Sequence, residues 1–95
     1  MDKVQVHREI CEGLNALYAR KNHDYGDSFA RSYDKWGLTM ACMRLEDKLN
    51  RLEQFAKGGE LLVNDESVTD TLLDIANYAI MTVIEMKKTE REAKQ

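Results

Sequence analysis

Two stretches of this sequence repeat one polar pattern among apolar neighbours, Asp47-Lys48-Leu49-Asn50 and Asp74-Ile75-Ala76-Asn77. On a helix, residues three or four apart share a face. Asp70, Asp74, Asn77 and Met81 therefore form one row, bounded by Leu73, Ile80 and Ile84, and Met43, Asp47, Asn50 and Gln54 form another. An ionised carboxylate buried without a partner costs several kcal/mol, so such rows require a cation, a donor or a metal. Two facing rows would offer hard oxygen ligands to Mg²⁺, which takes one or two carboxylates together with water and substrate phosphate. The same residues also have plainer uses. Ser67 and Asp70 fit a capping box, and Asp47 can pair with Arg51 or Lys48 on a solvated face. Asp74 lies too deep in its helix to serve as a cap. Glu46 and Glu53 flank the Asp47 row and suit surface pairing.

Arg44, Lys48 and Arg51 make a basic shoulder beside Asp47, suited either to phosphate oxygens or to ordinary surface charge. His23, in the polar cluster Asn22-His23-Asp24-Tyr25-Gly26-Asp27, is a candidate substrate contact or simply a solvated histidine. No nucleophile triad, phosphate loop or zinc motif is present, and Gly58-Gly59 reads only as a turn.

The elements that must position these residues are helical. Proline is absent, and glycines stand at 13, 26, 37, 58 and 59. Ile10, Leu14, Leu17 and Tyr18 mark a first helix from Lys3 to Asn22. Asp27 or Ser28 caps a short second helix with an aromatic stripe, Phe29, Tyr33 and Trp36, ended by Gly37. Leu38, Leu45, Leu49, Leu52 and Ala56 are the seam of a third helix, Thr39 to Lys57. Asn64 to Ser67 supply caps and negative charge for a fourth helix reaching about Lys88, roughly 33 Å long. The charged tail from Lys87 to Gln95 is expected to fray.

In the fourth helix Val68, Leu72, Ile75, Ala76, Ala79, Val83 and Met86 take one face, while Leu73, Ile80, Met81 and Ile84 carry apolar character well around the cylinder. A helix apolar on most of its circumference is buried on most sides, and the other helices of a 95-residue chain can hardly wrap it. The expectation is one all-α domain over residues 1–95, three long helices and a short one, forming a bundle that homo-oligomerisation completes.

Composition limits the remainder. With 43% hydrophobic and 33% charged residues, and no apolar run near ~18 residues, the sequence predicts a soluble protein with no membrane partner. Its first residues lack the apolar stretch of a signal peptide, which points to the cytoplasm. Cys11 and Cys42 are too few for a disulfide framework or a zinc cage and read as packing thiols. A formal net charge of −3 without a basic stripe argues against duplex nucleic acid as a partner.

Three segments together, Lys21 to Phe29, Arg44 to Leu52, and Asp65 to Ser67 running into Asp70 to Ala79, resemble the nucleotide-modification-associated domain of phages and bacteria. The likeness spans about Tyr18 to Met86, and that family is similar to the all-α, MazG-like nucleoside triphosphate pyrophosphohydrolases. The resemblance implies Mg²⁺-dependent cleavage of an NTP or dNTP to the monophosphate and pyrophosphate, in a dimer or tetramer of helical bundles. On that reading Asp47, Asp74 and Asp70 hold Mg²⁺, with Asn50 and Asn77 completing the shell, and Asp47 and Asp74 are the catalytic pair. Lys21, Lys48 and Arg51 orient phosphates, while Tyr25 or Trp36 stacks on the base. The MazG-like metal pairs are Glu-x-x-Glu and Glu-x-x-Asp, whereas here two of four carboxylates are amides; Glu46, Glu66 or Asp70 would have to restore the charge. Two rival readings remain: a nucleotide-binding module without hydrolysis, and a structural helical oligomer whose polar rows fix its register.

Overall fold

The computed structural model describes residues 1–58 and 67–94, with Tyr25 described by its backbone alone. All regular structure among them is helical, in the order α1 (Lys3–Tyr25), α2 (Ser28–Trp36), α3 (Leu38–Ala56) and α4 (Val68–Ala93). The Asn64 to Glu66 part of the expected fourth-helix cap, and Gly59, lie outside the described residues.

The helix ends follow local chemistry. The Asp2 side chain accepts from the Gln5 amide at 3.1 Å and starts α1. The polar cluster predicted to break the helix after Asn22 instead stays helical as far as Tyr25, and the chain turns only where Gly26 adopts φ 59°. Polar residues are poor helix formers but do not forbid a helix; a left-handed residue ends one. Gly37, at φ 61° and ψ −150°, joins α2 directly to α3 in a conformation that a side chain would resist. At the start of α4, Ser67 Oγ accepts from the Asp70 amide while the Asp70 carboxylate accepts from the Ser67 amide, completing the capping box. The tail expected to fray from Lys87 is helical to Ala93. Pairing of Lys88 with Glu85 and of Lys94 with Glu90, one helical turn apart, supports this extension.

The most extensive packing is between α3 and α4, with α1 and α2 laid against that pair. Lys48 meets Asp74 while Met40 and Met81 line the same cavity, so the two helices run antiparallel. The fully buried apolar residues are few and mostly small: Leu14, Ala30, Met40 and Ala41. Buried threonines satisfy themselves locally, Thr71 on the Ser67 carbonyl at 3.2 Å and Thr82 on the Tyr78 carbonyl at 2.7 Å. The radius of gyration is 15.4 Å, against about 12 Å for a compact chain of this length. The fold is open rather than closed around a core.

The seams are split: Leu45 and Leu52 of α3 and Ile75 and Ala76 of α4 are half-buried on the faces where the helices meet, and the rest turn outward. Leu38 and Leu49 of α3 and Val68, Leu72, Val83 and Met86 of α4 are all exposed. The meeting faces also carry Met40, Ala41 and Lys48, and Thr71, Thr82 and Glu85. Cys11 and Cys42, expected as packing thiols, are exposed as well.

Candidate functional site

A cavity of about 400 Å³ opens between α1 with the start of α2 on one side and the α3/α4 pair on the other. Helical spacing delivers its walls. From α1 come Tyr18, Lys21 and Asn22; from α3 come Met40, Arg44 and Lys48, each one turn after the last; from α4 come Asp74, Asn77, Tyr78 and Met81. The α1–α2 corner adds Asp27, Ser28, Phe29 and Ser32.

Two features make the corner distinctive. Asp27 is the N-cap of α2 but sits at φ 57°, and its side chain makes no cap hydrogen bond. A carboxylate in that place ordinarily takes up a free helix amide, whereas this one borders the cavity. Arg31 donates to the Gly26 carbonyl and holds the turn. Phe29 then packs on Tyr33, with ring centroids 6.5 Å apart, and on Tyr78, at 6.0 Å, so that α2 and α4 share one aromatic wall. Trp36, the third member of the predicted stripe, is exposed beyond it.

Charge in the cavity is unevenly matched. Lys48 Nζ lies 2.9 Å from Asp74 Oδ2, and both side chains are about three-quarters buried, so this pair is partly shielded from water. The side chains of Lys21, Arg44, Asn22 and Asn77 make no hydrogen bond or ion pair among the described residues. Two cations and two amides thus face the space with their donors unused. Tyr18 is held above its ordinary ionisation range, first by burial and then by the Asp27 and Glu85 carboxylates, so its hydroxyl stays protonated. Behind the cavity, Lys88 Nζ bridges Glu85 Oε2 at 3.0 Å and Asp34 Oδ1 at 3.5 Å, tying α4 to α2.

The predicted residues divide sharply. Lys21, Lys48, Asp74 and Asn77 border the cavity. Asp47 and Asn50 are exposed and outside it, as are His23, which bonds Asp24 at 3.3 Å, and Trp36. Arg51 is half-buried outside its lining, and Asp70 belongs to the capping box. The Tyr25 side chain lies outside the described residues. The five residues expected to ligate Mg²⁺ are therefore not brought together, and among the described residues no three His, Cys, Asp or Glu side chains converge. Of those five only Asp74, held by Lys48, and Asn77 border the cavity. Sequence reasoning missed Tyr18, Asn22, Asp27, Ser28, Phe29, Ser32 and Tyr78 as wall residues. The spacing Met40, Arg44, Lys48 was the available signal, since it places two cations beside a buried methionine.

The family model described as nucleotide modification associated domain 1 matches residues 21–86. The chain belongs to that family. The match takes in every wall residue of the cavity except Tyr18. No curated protein and no solved structure matches this member of the nucleotide modification associated domain 1 family. Its described helices include none long and apolar enough to cross a membrane.

Proposed function

We propose that the cavity binds a nucleoside phosphate, with its phosphate oxygens on Lys21, Arg44 and Lys48 and its base against the Phe29 and Tyr78 rings. The observation that carries this reading is the presence of two cations, Lys21 and Arg44, whose side chains pair with none of the described residues, in a cavity walled on another side by an aromatic pair. Guanidinium and ammonium groups recognise phosphate, and an aromatic face accepts any base. A volume of about 400 Å³ falls in the range of small-molecule sites. Asn22, Asn77 and the Tyr18 hydroxyl supply neutral donors for sugar or base edges. Membership of a family associated with nucleotide modification agrees with this class of ligand.

A second reading is Mg²⁺-dependent hydrolysis of a nucleoside triphosphate to monophosphate and pyrophosphate, as in the MazG-like enzymes the sequence resembles. Asp74 and Asn77 standing together in the cavity wall favour it. The engagement of Asp74 by Lys48 counts against a metal there, and we assign no hydrolytic step. We further propose that the chain works as a homo-oligomer, dimer or tetramer, because Leu38 and Leu49 of α3 and Val68, Leu72, Val83 and Met86 of α4 stay exposed on the single chain.

The test is a panel of NTPs, dNTPs and their monophosphates, with and without Mg²⁺. Nucleotide-dependent thermal stabilisation without pyrophosphate release is expected; release only with Mg²⁺ would select the hydrolase. No stabilisation by any nucleotide would remove the nucleotide reading.

A further inference from the structure

We propose that Asp27 selects the nucleoside: its carboxylate accepts from two neighbouring donors, offered either by the edge of guanine or by the vicinal hydroxyls of ribose. The proposal rests on the nucleotide reading of the cavity and adds which part of the ligand the α1–α2 corner reads. Asp27 borders the cavity together with Tyr18, Asn22 and Phe29. It stands at φ 57° directly after Gly26 at φ 59°, so two left-handed residues in succession make the corner. Left-handed backbone disfavours a side chain, although Asp bears it better than most. Glycine would carry the same turn without that penalty, so the turn by itself does not account for a carboxylate here.

Its contacts do not account for it either. An acid at a helix N-cap ordinarily accepts from an amide of the first turn, and this one makes no such bond. The nearby Arg31 donates to the Gly26 carbonyl instead. Among the described residues the Asp27 side chain has no hydrogen bond or ion pair. Its charge is nevertheless felt inside the cavity, where it helps to hold the Tyr18 phenol protonated. An ionised carboxylate has acceptor oxygens only. It repels phosphate, so of a nucleoside phosphate it can hold only the sugar or the base. Two adjacent donors suit it best, one to each oxygen. Guanine carries such a pair, its ring N–H beside its exocyclic amine. Adenine and cytosine set their amine beside a ring nitrogen that would repel the carboxylate, and the imide N–H of uracil or thymine lies between two carbonyls. The remaining pair is the ribose diol, which deoxyribose lacks. A site built to pair with such donors strongly rejects the analogue without them.

Titration of the full chain with the common ribonucleoside and deoxyribonucleoside monophosphates, with and without Mg²⁺, tests this. If Asp27 reads the base, both guanine nucleotides should bind about tenfold or more tighter than the others. If it reads the sugar, each ribonucleotide should exceed its deoxy counterpart by the same margin. Asp27→Asn keeps the size and tolerates the left-handed backbone but turns one acceptor into a donor, and should shrink the preference to within about twofold. Asp27→Gly relaxes the backbone and should abolish the preference too, with helical circular dichroism unchanged, so that a folding defect cannot pass for lost recognition. Equal affinities in wild type, a preference that survives both variants, or an effect of Asp27→Asn confined to Mg²⁺ would each overturn the proposal, the last because the carboxylate would then hold a cation. Equal affinities that still fall in Arg44→Ala would strike Asp27 alone. A wild type that binds no nucleotide would strike the nucleotide reading and the role of Asp27 with it.

Discussion

Asp47-x-x-Asn50 and Asp74-x-x-Asn77 are one pattern on two antiparallel helices that pack together, yet their surroundings differ completely. Asp74 and Asn77 border the cavity, with the Asp74 carboxylate held by Lys48 and mostly out of water. Asp47 and Asn50 are exposed outside the cavity lining. Spacing fixes which residues share a face of a helix; it does not fix which face a neighbouring helix covers. On α4 the face with acid and amide turns toward α1 and α2. On α3 the corresponding side is set by Met40, Arg44 and Lys48, which places Asp47 about a sixth of a turn off the centre of that row. The lysine that could have paired locally with Asp47 reaches across to α4 instead.

The largest difference should appear in ligand binding. Arg44→Ala and Lys21→Ala each remove a charge-assisted contact of about 1.5–3 kcal/mol, and should weaken nucleotide binding between about tenfold and a hundredfold. Asp47→Ala and Asn50→Ala should leave it unchanged within twofold. Isothermal titration with the tightest nucleotide of the panel decides the matter, and an Asp47→Ala protein that binds worse than Arg44→Ala would invert the contrast. Asp74→Ala comes next. It strips a partner from a mostly buried lysine, which should cost about 1–3 kcal/mol in stability, against less than ~0.5 kcal/mol for Asp47→Ala. Denaturant midpoints measure both. In a double-mutant cycle, Lys48→Met with Asp74→Leu should lose less than the two single changes summed.

What was legible in the sequence follows from the same physics. Four helices, the Gly37 end and the Ser67 cap were readable because they depend on nearest neighbours; the pattern sets the end of α1 at Asn22, whereas the polar cluster stays helical up to Gly26. The α4 terminus was not readable either, because ion pairs one turn apart keep a charged run helical to Ala93. The seam residues were grouped by period, yet the grouping could not say which members the single chain half-buries, Leu45, Leu52, Ile75 and Ala76, and which it leaves exposed. A minority of the cavity wall was visible in Lys21, Lys48, Asp74 and Asn77, with Arg44 and Met81 beside them. The rest belongs to α1 and α2 residues such as Tyr18, Asp27 and Ser32, whose types carry no signal until the corner at Gly26 folds them over the α3/α4 pair.

Asp70 sharpens the comparison on a smaller scale, since it continues the Asp74 row one turn back and yet is used by the backbone. Ser67→Ala should cost about 1 kcal/mol, and Asp70→Ala somewhat less, with nucleotide affinity unaltered in both. If Asp70→Ala reduced binding tenfold at unchanged stability, the carboxylate would have a second role at the cleft and the row would have to be redrawn.

The smallest expected effect is a titration. The Tyr18 phenol is raised from its ordinary value of 10.0, with burial the chief cause and the Asp27 and Glu85 carboxylates adding to it. An acid favoured in its neutral form by folding contributes stability that is fully present below its unfolded pKa and is lost as pH climbs through the folded one. The contribution therefore holds throughout the neutral range and disappears only in strong alkali, above pH 10.0. Ultraviolet absorbance of phenolate against pH should show one of the four tyrosines ionising later than an exposed phenol, and Tyr18→Phe should delete that late component. Nucleotide binding should then show no loss attributable to Tyr18 up to pH 10.0. If the late component survived in Tyr18→Phe, the buried phenol would belong to another wall of the fold, and the hydroxyl could not be counted among the donors that distinguish this cavity from the solvated row around Asp47.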